Sequence, residues 1–211
     1  VNDIPDDVDL VIDCAGHEAL RQYGPDVLRA GYDLLSVSVG ALADEEFHAE
    51  IRDASVKGGA SLLLASGAIG ALDTLRSARA DQITSVRYTG CKPPKGWLGS
   101  PAEKLLDLNA LTTAQTHFEG NARAAATDYP KNANVAAAVA LAGIGFDRTE
   151  VTLIADPDIT ENIHEIHASG AFGEFSFRIA GKALPGNPRS SALAAMSVIT
   201  ALDNLNAAIR F

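Results

Sequence analysis

Short apolar runs separated by amphipathic stretches dominate the first third of the chain. Val8-Asp9-Leu10-Val11-Ile12-Asp13 has strand length and ends in Cys14-Ala15-Gly16-His17, which predicts a buried parallel strand followed by a tight turn. From Glu18 to about Ala30 the apolar positions recur with helical spacing and stop at Gly31, a suitable C-cap. Leu34–Val39 predicts a second strand, ending at Gly40. A second helix is expected from Glu45 to about Lys57, closed by Gly58-Gly59. Ser61–Ala65 predicts a third strand, followed by Ser66-Gly67-Ala68-Ile69-Gly70. Strand, helix, strand, helix, strand is half of a doubly wound sheet, with small residues at each strand's carboxyl end, where a ligand crevice lies in such folds.

The pattern changes after about residue 80. Ile83–Gly90 alternates as a strand, and the prolines of Lys92-Pro93-Pro94-Lys95-Gly96-Trp97 predict a loop. Helices are expected over Asn121–Asp128 and from Asn134 to about Gly143, the second so rich in Ala and Val that it would be buried. Val151–Ala155 predicts a strand. Ile163–Ser169 and Gly173–Ala180 predict a hairpin-like pair with one dry and one wet face. A final helix from near Ser190 carries Ala192, Ala195, Met196, Ile199, Leu202, Leu205 and Ile209 on one stripe. The fold class expected is α/β: an incomplete Rossmann-type dinucleotide-binding domain plus an α+β domain with a mainly antiparallel sheet. The expected boundaries are 1–80, 81–190 and a terminal helix over 191–211 that packs back on the first domain.

With 211 residues, 47 % of them hydrophobic, the chain can bury a real core. A net charge of −10 without a Lys/Arg-rich run argues against nucleic acid or an anionic membrane as partner, while leaving room for a local basic pocket. No apolar run has the length of a membrane span, and the acidic start has no signal-peptide character. The two cysteines, Cys14 and Cys91, lack metal-ligand spacing and fit a reducing cytoplasm. No metal is expected.

The candidate chemistry lies in two segments. Tyr129-Pro130-Lys131-Asn132-Ala133-Asn134-Val135 opens the Ala-rich helix. One asparagine could be an ordinary N-cap. Two asparagines and a lysine at a helix start also suit a carboxamide or carboxylate ligand. The second segment is Asn162-Ile163-His164-Glu165-Ile166-His167. Strand parity puts His164 with Ile166 and Ala168, toward core or cleft, and His167 with Glu165 on the polar face. By pattern alone His164 fits either a hydrogen-bonded core residue or a general acid/base. His17, His48 and His117 have no comparable setting. Gly16 and Gly67, at strand ends, are candidates for close approach of a nucleotide. No G-x-G-x-x-G turn follows a strand, and no G-x-S-x-G elbow occurs.

Taken in order, Asp13–His17, Ser38–Asp44, Ser66–Asp73, Lys92-Pro93-Pro94, Phe118–Arg123, Pro130–Ala136, Ala155-Asp156-Pro157, Asn162-Ile163-His164 and Gly170–Gly173 resemble the L-aspartate dehydrogenase family along nearly the whole chain. The resemblance implies NAD(P)-dependent oxidation of L-aspartate to iminoaspartate, which hydrolyses to oxaloacetate and ammonia and also feeds NAD biosynthesis. It implies that Ala68 and Asn134 contact NAD or NADP, with Asn132 beside them, and that His164 is the active-site histidine. Lys131 and Lys92 are candidates to clamp a substrate carboxylate. Family members begin with a strand and a glycine-rich pyrophosphate turn, so roughly fifty further residues are expected ahead of Val1. A homodimer is expected from the antiparallel sheet, the apolar final helix and the family likeness. The alternatives are another two-domain reductase, similar to dihydrodipicolinate reductase, and a cofactor-free binding or dimerisation module.

Overall fold

The computed structural model describes residues 4–5, 7–130, 132–184 and 187–209. Its first unit is a parallel sheet in the order β1 (Leu10–Asp13), β2 (Asp33–Ser36), β3 (Leu62–Leu64). Helices α1 (His17–Arg29) and α2 (Glu45–Gly58) connect the strands. Local chemistry sets the limits of α2: the Asp44 carboxylate accepts from the backbone N–H groups of Glu46 and Phe47, and Gly59 closes the helix in the left-handed conformation. Central β2 is buried on both faces, Leu34 and Leu35 alike. The flanking strands are less buried than their apolar runs predict, since Ile12 and Leu64 are exposed. Each lies on a strand with a neighbour on one side only among the described residues.

The second sheet has five strands, in the order β5 (Gln115–Asn121), β6 (Glu150–Ala155), β4 (Ile83–Lys92), β7 (Asn162–Gly170), β8 (Gly173–Gly181). All neighbours are antiparallel except β4 and β6. Strand β5 was not expected from the sequence. A register irregularity between Thr116 and Phe118 disrupts the period-two alternation by which strands are read. The expected hairpin is β7–β8, with His164, Ile166 and Ala168 buried, as parity requires. Its wet face carries the Arg178–Glu165 ion pair. The double-proline loop contains a 3₁₀ turn over Pro94–Trp97.

The helices that follow β3 in the chain are α3 (Leu72–Ala78), α4 (Ala102–Leu105), α5 (Ala122–Asp128) and α6 (Asn134–Ala142). Of α6 only Asn134 and Leu141 escape full burial. Its alanines let it pack closely against α3, α5, β4 and the 3₁₀ turn after β2, over Val39–Ala43. That position brings the helix start against the carboxyl ends of the first sheet.

A small pair, β9 (Ala183–Leu184) and β10 (Asn187–Ser191), leads into α7 (Ala192–Asn206). The Ser191 hydroxyl caps α7 by accepting from the Leu193 N–H. The apolar stripe expected on this helix is largely exposed, with Met196 at 56 % and Ile199 at 59 %. Contact with the first sheet runs instead through Ser197, whose Oγ accepts from the Gly67 N–H at 3.0 Å. No described helix is long and apolar enough to cross a membrane.

Candidate active site

Six chain segments converge on a cavity of about 200 Å³, among them Val37 and Val39 beyond the end of β2. The turn after β3 contributes Gly67 and Ala68, the end of β4 contributes Lys92, and the start of α6 contributes Asn132 and Asn134. Strand β7 contributes Asn162 and His164, and Ser191 enters from the start of α7. Six of the eight residues singled out from sequence therefore meet here: Ala68, Asn134, Gly67, Asn132, Lys92 and His164. Gly16 does not line the cavity; it precedes α1 at the end of β1. Lys131 lies outside the described residues. No group of three or more potential metal ligands occurs among the described residues.

Asn134 does not cap its own helix. The N-cap is Ala133, which makes no side-chain cap. The Asn134 Oδ1 instead accepts from the Gly40 backbone N–H at 2.8 Å and meets His17 Nε2 at 2.7 Å. A backbone N–H can only donate, so the oxygen is identified unambiguously and the His17 ring must carry its proton on Nε2. The amide nitrogen of Asn134 is then left to donate to a ligand. A side chain at Gly40 would obstruct this contact, because a Cβ there would fall 2.6 Å from His17 Cε1 and 3.1 Å from the Asn134 Oδ1. Sequence gave His17 no special setting; the pairing joins residues 117 positions apart and has no local signature.

Lys92 is only 8 % exposed. Its Nζ donates to Asn132 Oδ1 at 2.7 Å and lies 5.0 Å from the Trp97 ring centroid. No carboxylate pairs with it among the described residues. Burial pushes its pKa down to about 8, so it remains mostly cationic at neutral pH. A buried cation that borders a cavity and lacks a counter-ion has the chemistry to receive an anion.

His164 is 4 % exposed. Its Nδ1 is 2.8 Å from the Tyr88 hydroxyl, leaving Nε2 for the cavity. Burial, assisted by the Lys92 charge, pushes its pKa down to about 4, and the ring is neutral at pH 7.

Residues 73–205 match the family described as aspartate dehydrogenase, C-terminal, and residues 1–65 match the homoserine dehydrogenase NAD binding domain. The L-aspartate dehydrogenase of Ruegeria pomeroyi is 61 % identical over 207 residues, 98 % of this chain and 75 % of that protein. The chain belongs to the aspartate dehydrogenase family. The L-aspartate dehydrogenase of Pseudomonas aeruginosa is 50 % identical over 93 % of the chain and 73 % of its own length. The crystal structure of aspartate dehydrogenase from Thermotoga maritima superimposes with a TM-score of 0.83 at 34 % identity, covering 99 % of this chain and 80 % of that one. Within this family fold the cavity lies between the carboxyl ends of a parallel, Rossmann-type sheet and the mixed sheet.

One more histidine was underrated from sequence. His117 is buried beside Trp97, with ring centroids 4.3 Å apart, and its Nδ1 is 3.1 Å from the Tyr129 hydroxyl. Its Nε2 is buried with no hydrogen-bond partner among the described residues. Burial and the charge of Lys92 push its pKa down to about 4. His117 and His164 thus have the same consequence for stability. In the unfolded chain histidine titrates near 6.5. As pH falls from there toward about 4, the unfolded state takes up protons that the folded state refuses, so stability is full above 6.5 and is lost across this window. Urea titrations at pH steps between 7 and 4 should show His117→Leu removing about one proton from the uptake on unfolding. An unchanged pH slope in that variant would exclude His117 as a contributor.

Proposed function

We propose that the cavity binds L-aspartate beside NAD or NADP and that the protein oxidises the amino acid to iminoaspartate. Water then converts the imine to oxaloacetate and ammonia. The observation that carries this reading is Lys92, a buried cation at the cavity without a carboxylate partner among the described residues. A dicarboxylic amino acid supplies the missing anion.

The residues present fit a nicotinamide cofactor. Asn134, held by His17 and Gly40, offers an amide donor suited to a carboxamide oxygen. Gly67 and Ala68 offer small side chains at the end of β3, where dinucleotides approach parallel sheets. The cofactor, when bound, accepts hydride from the substrate Cα. The protein's task is to position the two reactants and to exclude competing chemistry. Lys92 binds a carboxylate. Asn132 holds the Lys92 ammonium in place through its own Oδ1. His164 presents Nε2 where the substrate amine, or the water that adds to C2, would lie.

The test is NAD(P) reduction with L-aspartate and, in parallel, with L-asparagine, which keeps the shape and loses one carboxylate. Turnover confined to aspartate is expected, because an unpaired buried charge discriminates by roughly two orders of magnitude or more. Equal rates for the two would remove the role assigned to Lys92. No dinucleotide reduction with either would overturn the reading.

A further inference from the structure

The second sheet contains a device that no single strand reveals. Register pairs Gly90 of β4 with His164 of β7 and Tyr88 with Ile166, so Tyr88 and His164 are diagonal neighbours on one face. Between them stands a glycine. A Cβ at Gly90 would lie 2.7 Å from the Tyr88 hydroxyl oxygen and 3.2 Å from Leu153 Cδ2. The empty position lets the phenol lie across β4 and bring its hydroxyl to 2.8 Å from His164 Nδ1.

Tyr88 is 2 % exposed, and among the described residues His164 is the one hydrogen-bond partner of its hydroxyl. Burial raises its pKa above the ordinary phenol value, so the proton stays on the oxygen. A buried O–H must find an acceptor or carry the full cost of desolvation. Nδ1 accepts only when it carries no proton of its own. The ring proton of neutral His164 is thereby placed on Nε2, the nitrogen left for the cavity.

We propose that Tyr88 is a positioning residue that holds His164 as the Nε2–H tautomer, so that the histidine offers the substrate a hydrogen-bond donor rather than a base. The acceptor is the oxygen attached to C2, in the adduct of water with the imine and in the keto acid that follows. This inference rests on the reading that His164 faces the reacting carbon. Among the described residues, the titratable groups that act on the ring are Tyr88 and Lys92, both from β4. The Lys92 charge adds to burial in keeping the ring neutral across the working range. Another histidine, His17, carries its proton on Nε2 for the converse reason, since there the Asn134 Oδ1 accepts from Nε2.

Long-range proton–nitrogen NMR of the chain labelled with nitrogen-15 in its histidine rings reads the tautomer directly. The His164 signals are identified by their loss in His164→Ala. At pH 7 the expected result is a protonated, pyrrole-type Nε2 and an unprotonated, pyridine-type Nδ1. In Tyr88→Phe both shifts should move toward the averaged values of free histidine, with kcat for aspartate down about tenfold and KM within about twofold. A wild-type ring protonated on Nδ1 would overturn the proposal, whether or not Tyr88→Phe folds. So would a Tyr88→Phe variant that folds with unchanged shifts, or with shifted signals and unchanged kcat. If His164→Ala leaves turnover intact, the reading of His164 at the reacting carbon fails, and the NMR result still stands as a statement about the pair.

Discussion

His164→Ala lowers kcat/KM for aspartate by about 10²–10³-fold, the range typical of losing a positioned proton or hydrogen-bond donor at a reacting centre. The ring is neutral and its Nε2 is free of protein partners among the described residues, so substrate contact is the function left for that atom. The substitution also has a structural cost. It leaves the buried Tyr88 hydroxyl, now 2.8 Å from its partner, without an acceptor, which should cost roughly 1–3 kcal/mol. The double variant His164→Ala/Tyr88→Phe removes both halves of the pair. It should regain much of the lost stability while remaining as inactive as the single variant. Steady-state kinetics beside urea denaturation of the three proteins separate the two effects. Activity that returns with stability would demote His164 to a core residue. Aspartate turnover that survives the single variant would keep the enzyme and remove His164 from the reacting centre.

Lys92→Met has opposite effects on function and stability. The shift of Lys92 from its ordinary value to about 8 corresponds to roughly 3 kcal/mol of unfavourable burial of the charged form at neutral pH. Replacing the ammonium by an apolar group of similar length should therefore stabilise the fold by about 1–3 kcal/mol. The pH dependence supplies a check on sign. The unfolded lysine still holds its proton between about 8 and 10.5, where the folded one has released it, so this group makes stability rise with pH across that window. The rise should vanish in Lys92→Met. Over the same comparison KM for aspartate should increase about 10–100-fold, with a smaller change in kcat, because a charge-assisted bond to the bound carboxylate is lost. A variant that loses stability and keeps its KM would show that Lys92 serves the fold and not the ligand.

The gain in one property and loss in the other is the expected mark of a site residue. A protein that buried Lys92 for stability alone would have placed a carboxylate against it. Here, among the described residues, the ammonium leans on an aromatic face and a single amide oxygen, and the proposed carboxylate would meet the rest of its demand.

Much of the site was legible because it sits at element boundaries. Asn132 and Asn134 stand at a helix start, Gly67 and Ala68 at a strand end, and His164 on a strand whose alternation shows its direction. Period and punctuation are local properties, and they are written in consecutive residues. The same logic left ordinary capping open for one of the two asparagines, since asparagine before an Ala-rich run is what a cap looks like, and Asn134 makes no such cap. It passed over His17 and Tyr88, whose partners lie 117 and 76 positions away. It also missed β5, where a register irregularity hides the alternation.

By itself, the sequence determined the strand–helix alternation of the first sheet, the buried character of α6, the inward face of β7 and, through its resemblance, the family. Only the tertiary structure decided that Lys92 is buried without a carboxylate partner, that Asn134 is turned by Gly40 and His17, and that Gly90 clears a path from Tyr88 to His164. The physical reason is that hydrophobic periodicity reports which side of an element leaves water. Hydrogen-bond partners, tautomers and shifted pKa values depend on which distant groups are brought within about 3 Å, and that is settled by strand register and helix packing.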